Sequence, residues 1–125
     1  QFLFLLLVIL FFCIYLPLVD KPLKVYYMQF GKHIRELRIQ RKLLQKHVAA
    51  ALDIDTPMLS KIERGDRKAS RAHVILLAKF FKINENELLS LWLGEKVYDV
   101  LKGEKVAFKA MDFAEEKLKT KNKKK

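Results

Sequence analysis

From Phe30 onward the apolar residues recur three and four positions apart, the spacing of a single helix face. Phe30, Ile34 and Leu37 predict a helix over about 30–41. Val48 and Leu52 predict a short second helix over about 44–51, with Ala49 small where a neighbouring helix crosses. Leu59 and Ile62 predict a third. Asp55 or Thr56 caps its start, Pro57 sits in its first turn and Gly65 ends it in left-handed geometry. A fourth, capped by Ser70, runs to Phe81 with Val74, Leu77, Ala78 and Phe81 inward. A fifth follows a turn at Ile83 and Asn84 and carries Leu88, Leu89, Leu91 and Trp92. Beyond Gly94, Val97, Val100 and Leu101 make one apolar strip. Val106, Phe108, Met111, Phe113, Ala114 and Leu118 make a broader one. The expectation is an all-α chain: five short helices around one core, followed by a helical extension.

The pattern changes at both ends. Residues 2–19 are uncharged and almost wholly apolar, near the minimum length of a membrane-spanning helix. There is no basic start and no small-residue cleavage site, so a secretory signal peptide fits poorly. Asp20, Lys21 and Lys24 follow, and Pro17 disturbs the last turn. Three readings are open: a mis-called gene start with Met28 as the initiator, a single-pass membrane anchor, or an apolar helix bound to a partner. The expected organisation is a leader over 1–27, a basic helical domain over 28–93, a helical extension over 94–118 and a disordered lysine-rich tail over 119–125.

Charge narrows the partners. The net charge is +11 with a pI near 9.8, which calls for a polyanion: nucleic acid or an anionic membrane surface. One cysteine excludes an internal disulfide framework and suits a reducing cytosol, so a cytoplasmic protein is expected if the leader is not an anchor. His33, His47 and His73 have no acidic or cysteine partner at ligand spacing, and Asp53-x-Asp55 lacks the rest of a calcium loop. No phosphate-binding glycine loop, nucleophile elbow or paired-carboxylate pattern occurs. Neither an enzyme nor a cofactor is expected.

The most specific signal lies between Ile34 and Phe81. Ile34, Leu37, Arg38, Gln45, Ala49, Ile54, Leu59, Ser60, Glu63, Gly65, Val74, Leu77, Ala78 and Phe81 stand at the spacing of the Cro/C1-type (XRE) helix-turn-helix family, which this stretch resembles. The resemblance covers about residues 30–90. It departs at Asp53, where the family usually has glycine, and at Ala69, where it usually has proline. Aspartate tolerates the left-handed conformation such a turn wants.

The resemblance implies a five-helix, lambda-repressor-like domain whose third helix enters the major groove of double-stranded DNA. On that helix Thr56, Pro57, Met58, Ser60 and Lys61 are the expected base readers. Gln45, Arg64, Arg67, Lys68 and Arg71 are the expected phosphate contacts, which give affinity and salt dependence without sequence information. Arg38 and Glu63 are expected to form a salt bridge that fixes the helix angle. For each charged group the plain alternative is a solvated side chain. The implied function is a sequence-specific, dimeric transcription regulator, most naturally a repressor. Its dimer contacts would come from residues 94–118 or the fifth helix, with Trp92 as an anchor. Rival readings are an antitoxin or other protein-interaction module acting through 94–118, and a membrane-tethered regulator.

Overall fold

The structure, a computed structural model, describes residues 1–9 and 29–123. Residues 2–9 are helical with exposed side chains. The remainder of the apolar stretch expected over 2–19 lies outside the described residues. No helix among the described residues is long and apolar enough to cross a membrane. From Phe30 on the elements are α1 (Phe30–Gln40), α2 (Gln45–Ala51), α3 (Thr56–Arg64), α4 (Arg71–Phe81), α5 (Glu85–Leu101) and α6 (Ala107–Asn122), with no strand among the described residues. The chain divides into two compact units, Gln1–Trp92 and Leu93–Lys125.

Side-chain oxygens start three of the helices. Asp55 Oδ1 accepts from the Met58 N–H at 2.7 Å and Ser70 Oγ from the His73 N–H at 3.1 Å. Asn84 Oδ1 accepts from the Asn86 and Glu87 N–H groups at 2.9 and 3.2 Å. Each bond satisfies a donor that the first turn of a helix leaves without an intrahelical partner. At α2 the residue before the helix is Leu44, which has no such oxygen. There the ring of His47 reaches back, and its Nδ1 accepts from the Leu44 N–H at 3.2 Å.

The other ends share one device. After each of α1 to α4 a single residue turns left-handed: Lys42 (φ 53°), Asp53 (54°), Gly65 (81°) and Lys82 (50°). The next N–H reaches back five residues each time: Leu43 to Arg38 O, Ile54 to Ala49 O, Asp66 to Lys61 O and Ile83 to Ala78 O. This is the Schellman closure, normally accompanied by an apolar contact from that next residue. Leu43, Ile54 and Ile83 do lie against the core. The exception is Asp66, after the only glycine of the four, where the chain leaves the core for an exposed basic loop.

The core of the first unit takes the inward residues of all five helices. Ile34, Val48, Leu59, Val74, Leu77 and Phe81 are fully buried, and Leu88 and Trp92 of α5 close it from the other side. α1 and α3 meet at Gly31. A Cβ there would stand 2.2 Å from the Ile62 carbonyl oxygen and 2.8 Å from that of Glu63. Arg41 stacks over the Phe81 ring, 5.1 Å from its centroid, and donates to the Phe81 carbonyl at the end of α4.

Two boundaries differ from the sequence expectation. α5 continues through Gly94 to Leu101, because Val97, Val100 and Leu101 extend its apolar pattern across a single glycine. The lysine-rich stretch from 119, expected to be disordered, is helical to Asn122. Lys119 Nζ lies 2.7 Å from Glu115 Oε1 one turn earlier, and cations suit a helix C-terminus. The same lysine holds the Glu115 carboxyl below its ordinary range.

Two substitutions test this geometry. Lys82→Gly removes a side chain from left-handed backbone and is expected to raise stability by up to about 1 kcal/mol, the αL penalty less the entropy glycine adds to the unfolded chain. Helix propensity alone favours Gly31→Ala, yet the variant is expected to lose about 1–3 kcal/mol through the clash with α3. Urea denaturation of both variants measures the two signs.

Candidate nucleic-acid interface

α3 buries Leu59, Ile62 and Glu63 and presents Thr56, Pro57, Lys61 and Arg64 to solvent. Ser60 is half-buried and its hydroxyl accepts from Arg64 Nη1 at 2.8 Å. Met58 corrects the sequence expectation. It is half-buried and lies against the core rather than among the exposed readers. The cause is helical spacing: Met58 adjoins Leu59 and precedes Ile62 by one turn, so it falls on the edge of the buried stripe.

Glu63, only 4% exposed, is the node of the site. Its Oε1 accepts from Arg38 Nε at 2.7 Å and its Oε2 from Arg38 Nη2 at 2.9 Å, a bidentate fork. The same Oε2 accepts from Gln45 Nε2 at 3.0 Å. Arg38 Nη1 donates in turn to the Leu43 carbonyl at 3.1 Å. One carboxylate therefore joins α1, the loop after it, the start of α2 and the end of α3. The Glu63 hydrogen bond holds the Arg38 guanidinium above its already high ordinary pKa, against the smaller opposing effect of burial.

Gln45, an expected phosphate contact through its side chain and backbone N–H, has its amide nitrogen committed to Glu63. What it offers outward is its amide oxygen and its place at the first position of α2, where backbone N–H groups lack intrahelical partners. Beside it a cleft of about 200 Å³ is lined by Arg35, Arg38, Gln45, Ser60, Glu63 and Arg64. Arg35 is a cation that sequence reasoning overlooked. It stands one turn before Arg38, and that i, i+3 spacing is the signal that would have found it.

The loop after α3 carries Arg67, Lys68 and, at the start of α4, Arg71, all exposed. Arg64 is held by Asp66, Nε to Oδ2 at 2.8 Å, in an exposed pair of the kind worth about 0–1 kcal/mol. The loop is anchored from below. Trp92, 5% exposed, donates its indole N–H to the Ala69 carbonyl at 2.9 Å. Trp92 is thus a core residue rather than the dimer anchor suggested by its position in the sequence. A buried indole needs an acceptor, and the loop backbone supplies one. The three histidines serve the fold separately. His33 is half-buried in α1, where burial pushes its imidazole below 6.5 while Glu36 opposes the shift. His47 caps α2, and His73 opens α4.

An exposed, capped helix held at a fixed angle by a buried ion pair and bordered by arginines and lysines defines a DNA-binding helix-turn-helix domain. The family model described as Helix-turn-helix matches residues 34–88, and this segment is a member of the Cro/C1-type (XRE) family of DNA-binding transcription regulators. No curated protein and no solved structure matches the chain significantly.

Removing Arg38 leaves the Glu63 carboxylate buried with one amide donor. Arg38→Ala is expected to cost about 3–5 kcal/mol, the range for breaking a buried ion pair. Arg38→Met with Glu63→Leu should recover part of that loss, because both charges are gone. Thermal unfolding of the two variants checks the order, and equal losses would contradict the pairing account.

Proposed function

We propose that the protein is a small dimeric repressor that binds a double-stranded DNA operator in a sequence-specific manner. α3 enters the major groove with Thr56, Pro57, Ser60 and Lys61 towards base edges. Lys61 donates to guanine O6 or N7, and the Thr56 methyl meets a thymine methyl. Gln45 through the α2 N-terminus, with Arg64, Arg67, Lys68 and Arg71, contacts the flanking phosphates. Arg35 joins them from α1.

The observation that carries this reading is the Glu63 node. It fixes α3 against α1 and α2 while leaving the outer face of α3 open between two sets of cations. Direct readout is modest, since Lys61 is the only long cation among the proposed readers. DNA shape and deformability then contribute to specificity.

Selection from random duplex DNA at near-physiological salt tests the proposal. An enriched palindrome is expected. Binding without any motif, lost as salt rises, would overturn it, because only the phosphate contribution would then be present. Lys61→Ala is expected to change preference at one or two base pairs, each worth about 1–3 kcal/mol. Arg71→Ala is expected to weaken all sequences alike and to reduce the salt slope by about 1. An unchanged base preference in Lys61→Ala would mean that α3 is oriented differently on DNA.

A further inference from the structure

Four helix ends close alike, and one of them departs from the pattern beside the cations of the proposed DNA surface. After α1, α2 and α4 the residue whose N–H reaches back five positions is Leu43, Ile54 or Ile83, and each lies against the core. After α3 that residue is Asp66. Its N–H donates to the Lys61 carbonyl at 2.9 Å, and its side chain is exposed. From Thr56 to Arg71 the chain has five cations, and Asp66 is the one exposed acid among them.

An acid in that place repels the DNA backbone, so it calls for a compensating role. The geometry supplies one. Arg64 Nε donates to Asp66 Oδ2 and Arg64 Nη1 donates to Ser60 Oγ, each at 2.8 Å. The guanidinium is tied on two sides, to the closing turn and to its own helix one turn back. The two bonds leave the Nη2 hydrogens for an acceptor outside the chain. Arg64 lines the same cleft as Arg35, Gln45 and Ser60, so the tethered group shares that cleft with the start of α2.

We propose that Asp66 is a positioning residue for DNA binding. It fixes the Arg64 guanidinium before DNA arrives, so that a backbone phosphate is met with little loss of side-chain freedom. The inference rests on the DNA-binding reading and deepens it by naming what prepares one of its phosphate contacts. Fold stability does not account for the pair. Its side chains are 54% and 58% exposed, and an ion pair so exposed contributes little to folding. Helix termination does not account for it either, because the closure uses only the Asp66 N–H and normally favours an apolar side chain there.

Positioning and competition predict opposite signs. If Asp66 only competed with phosphate for Arg64, removing its carboxylate would tighten binding. If it positions Arg64, removing it weakens binding although a repulsive charge has gone.

The test is fluorescence anisotropy of the full chain with two labelled duplexes, one of mixed sequence and one a palindrome enriched by selection. Phosphate contacts register on both. Near-physiological salt, with a Debye length of about 8 Å, damps the direct repulsion. Asp66→Ala is expected to weaken binding to both duplexes about two- to fivefold, the range an exposed pair can carry. Asp66→Asn keeps an acceptor for Arg64 Nε and loses the charge, and is expected to recover the loss. In an Arg64→Met background, Asp66→Ala is expected to tighten binding instead, because only repulsion remains to be removed. Unchanged thermal unfolding shows that the variants remain folded.

Asp66→Ala binding at least as tightly as the wild type overturns the proposal. So does equal weakening with and without Arg64, or an Asp66→Asn variant as weak as Asp66→Ala. Any of these, with a palindrome still enriched, leaves the operator-binding reading standing. The expected order on the mixed-sequence duplex, with no sequence enriched, supports the role of Asp66 and overturns the operator-binding reading. A wild type that binds neither duplex overturns both.

Discussion

The buried carboxylate of Glu63 is the constraint on which the DNA-binding unit is arranged. A charge taken from water costs several kcal/mol unless its lone pairs are occupied, and three hydrogen bonds from Arg38 and Gln45 occupy them. These donors come from α1 and from the first residue of α2, while Glu63 sits in the last turn of α3. The geometry of the bonds therefore specifies how α3 lies on its neighbours in a way that greasy contacts between Leu59, Ile62 and Ile34 cannot. Hydrophobic burial is non-directional, so it drives the helices together but leaves their rotation loosely specified. The absence of a side chain at Gly31 completes the arrangement by letting α1 approach the carbonyls of the residues beside and at Glu63.

Short connections impose a second constraint. With only a few residues between helices, each helix must stop sharply and reverse, and the chain does this with a left-handed residue at four successive ends. Lysine or aspartate occupies three of those positions at a conformational cost of about 1–2 kcal/mol each. Apolar Leu43, Ile54 and Ile83 offset it by packing on the core directly afterwards. After α3, glycine removes the cost, and the following residue is free to be polar. That is where the chain turns out towards the basic loop, which Trp92 ties down through the Ala69 carbonyl. The stop of the helix and the exposure of the loop's cations are two consequences of one closure.

Helices α1 to α4 present arginines and lysines around a well-filled core, whereas the residues from Leu93 on expose phenylalanines, valines and leucine among their charges.

Much of this was legible in the sequence for a plain reason. Periodicity of apolar residues, Asp55 and Ser70 as caps, Pro57 in a first turn and Gly65 after a last one are local signals, and local physics places α1 to α4 within a residue or two. The pairing of Arg38 with Glu63 was available through a family pattern of many spaced positions. What local signals cannot carry is which side of a helix a marginal residue takes and what reaches it from afar. Met58 joins the core, Gln45 spends its amide on Glu63, Trp92 anchors a loop 23 residues away and Gly31 marks a helix crossing. Each depends on contacts between residues distant in sequence, and those exist only once the helices have packed. The sequence by itself determined the elements, their order and the charge of the reading face. The tertiary structure decided which of the polar and aromatic side chains hold that face in place and which stay exposed on it, because those contacts join residues distant in sequence.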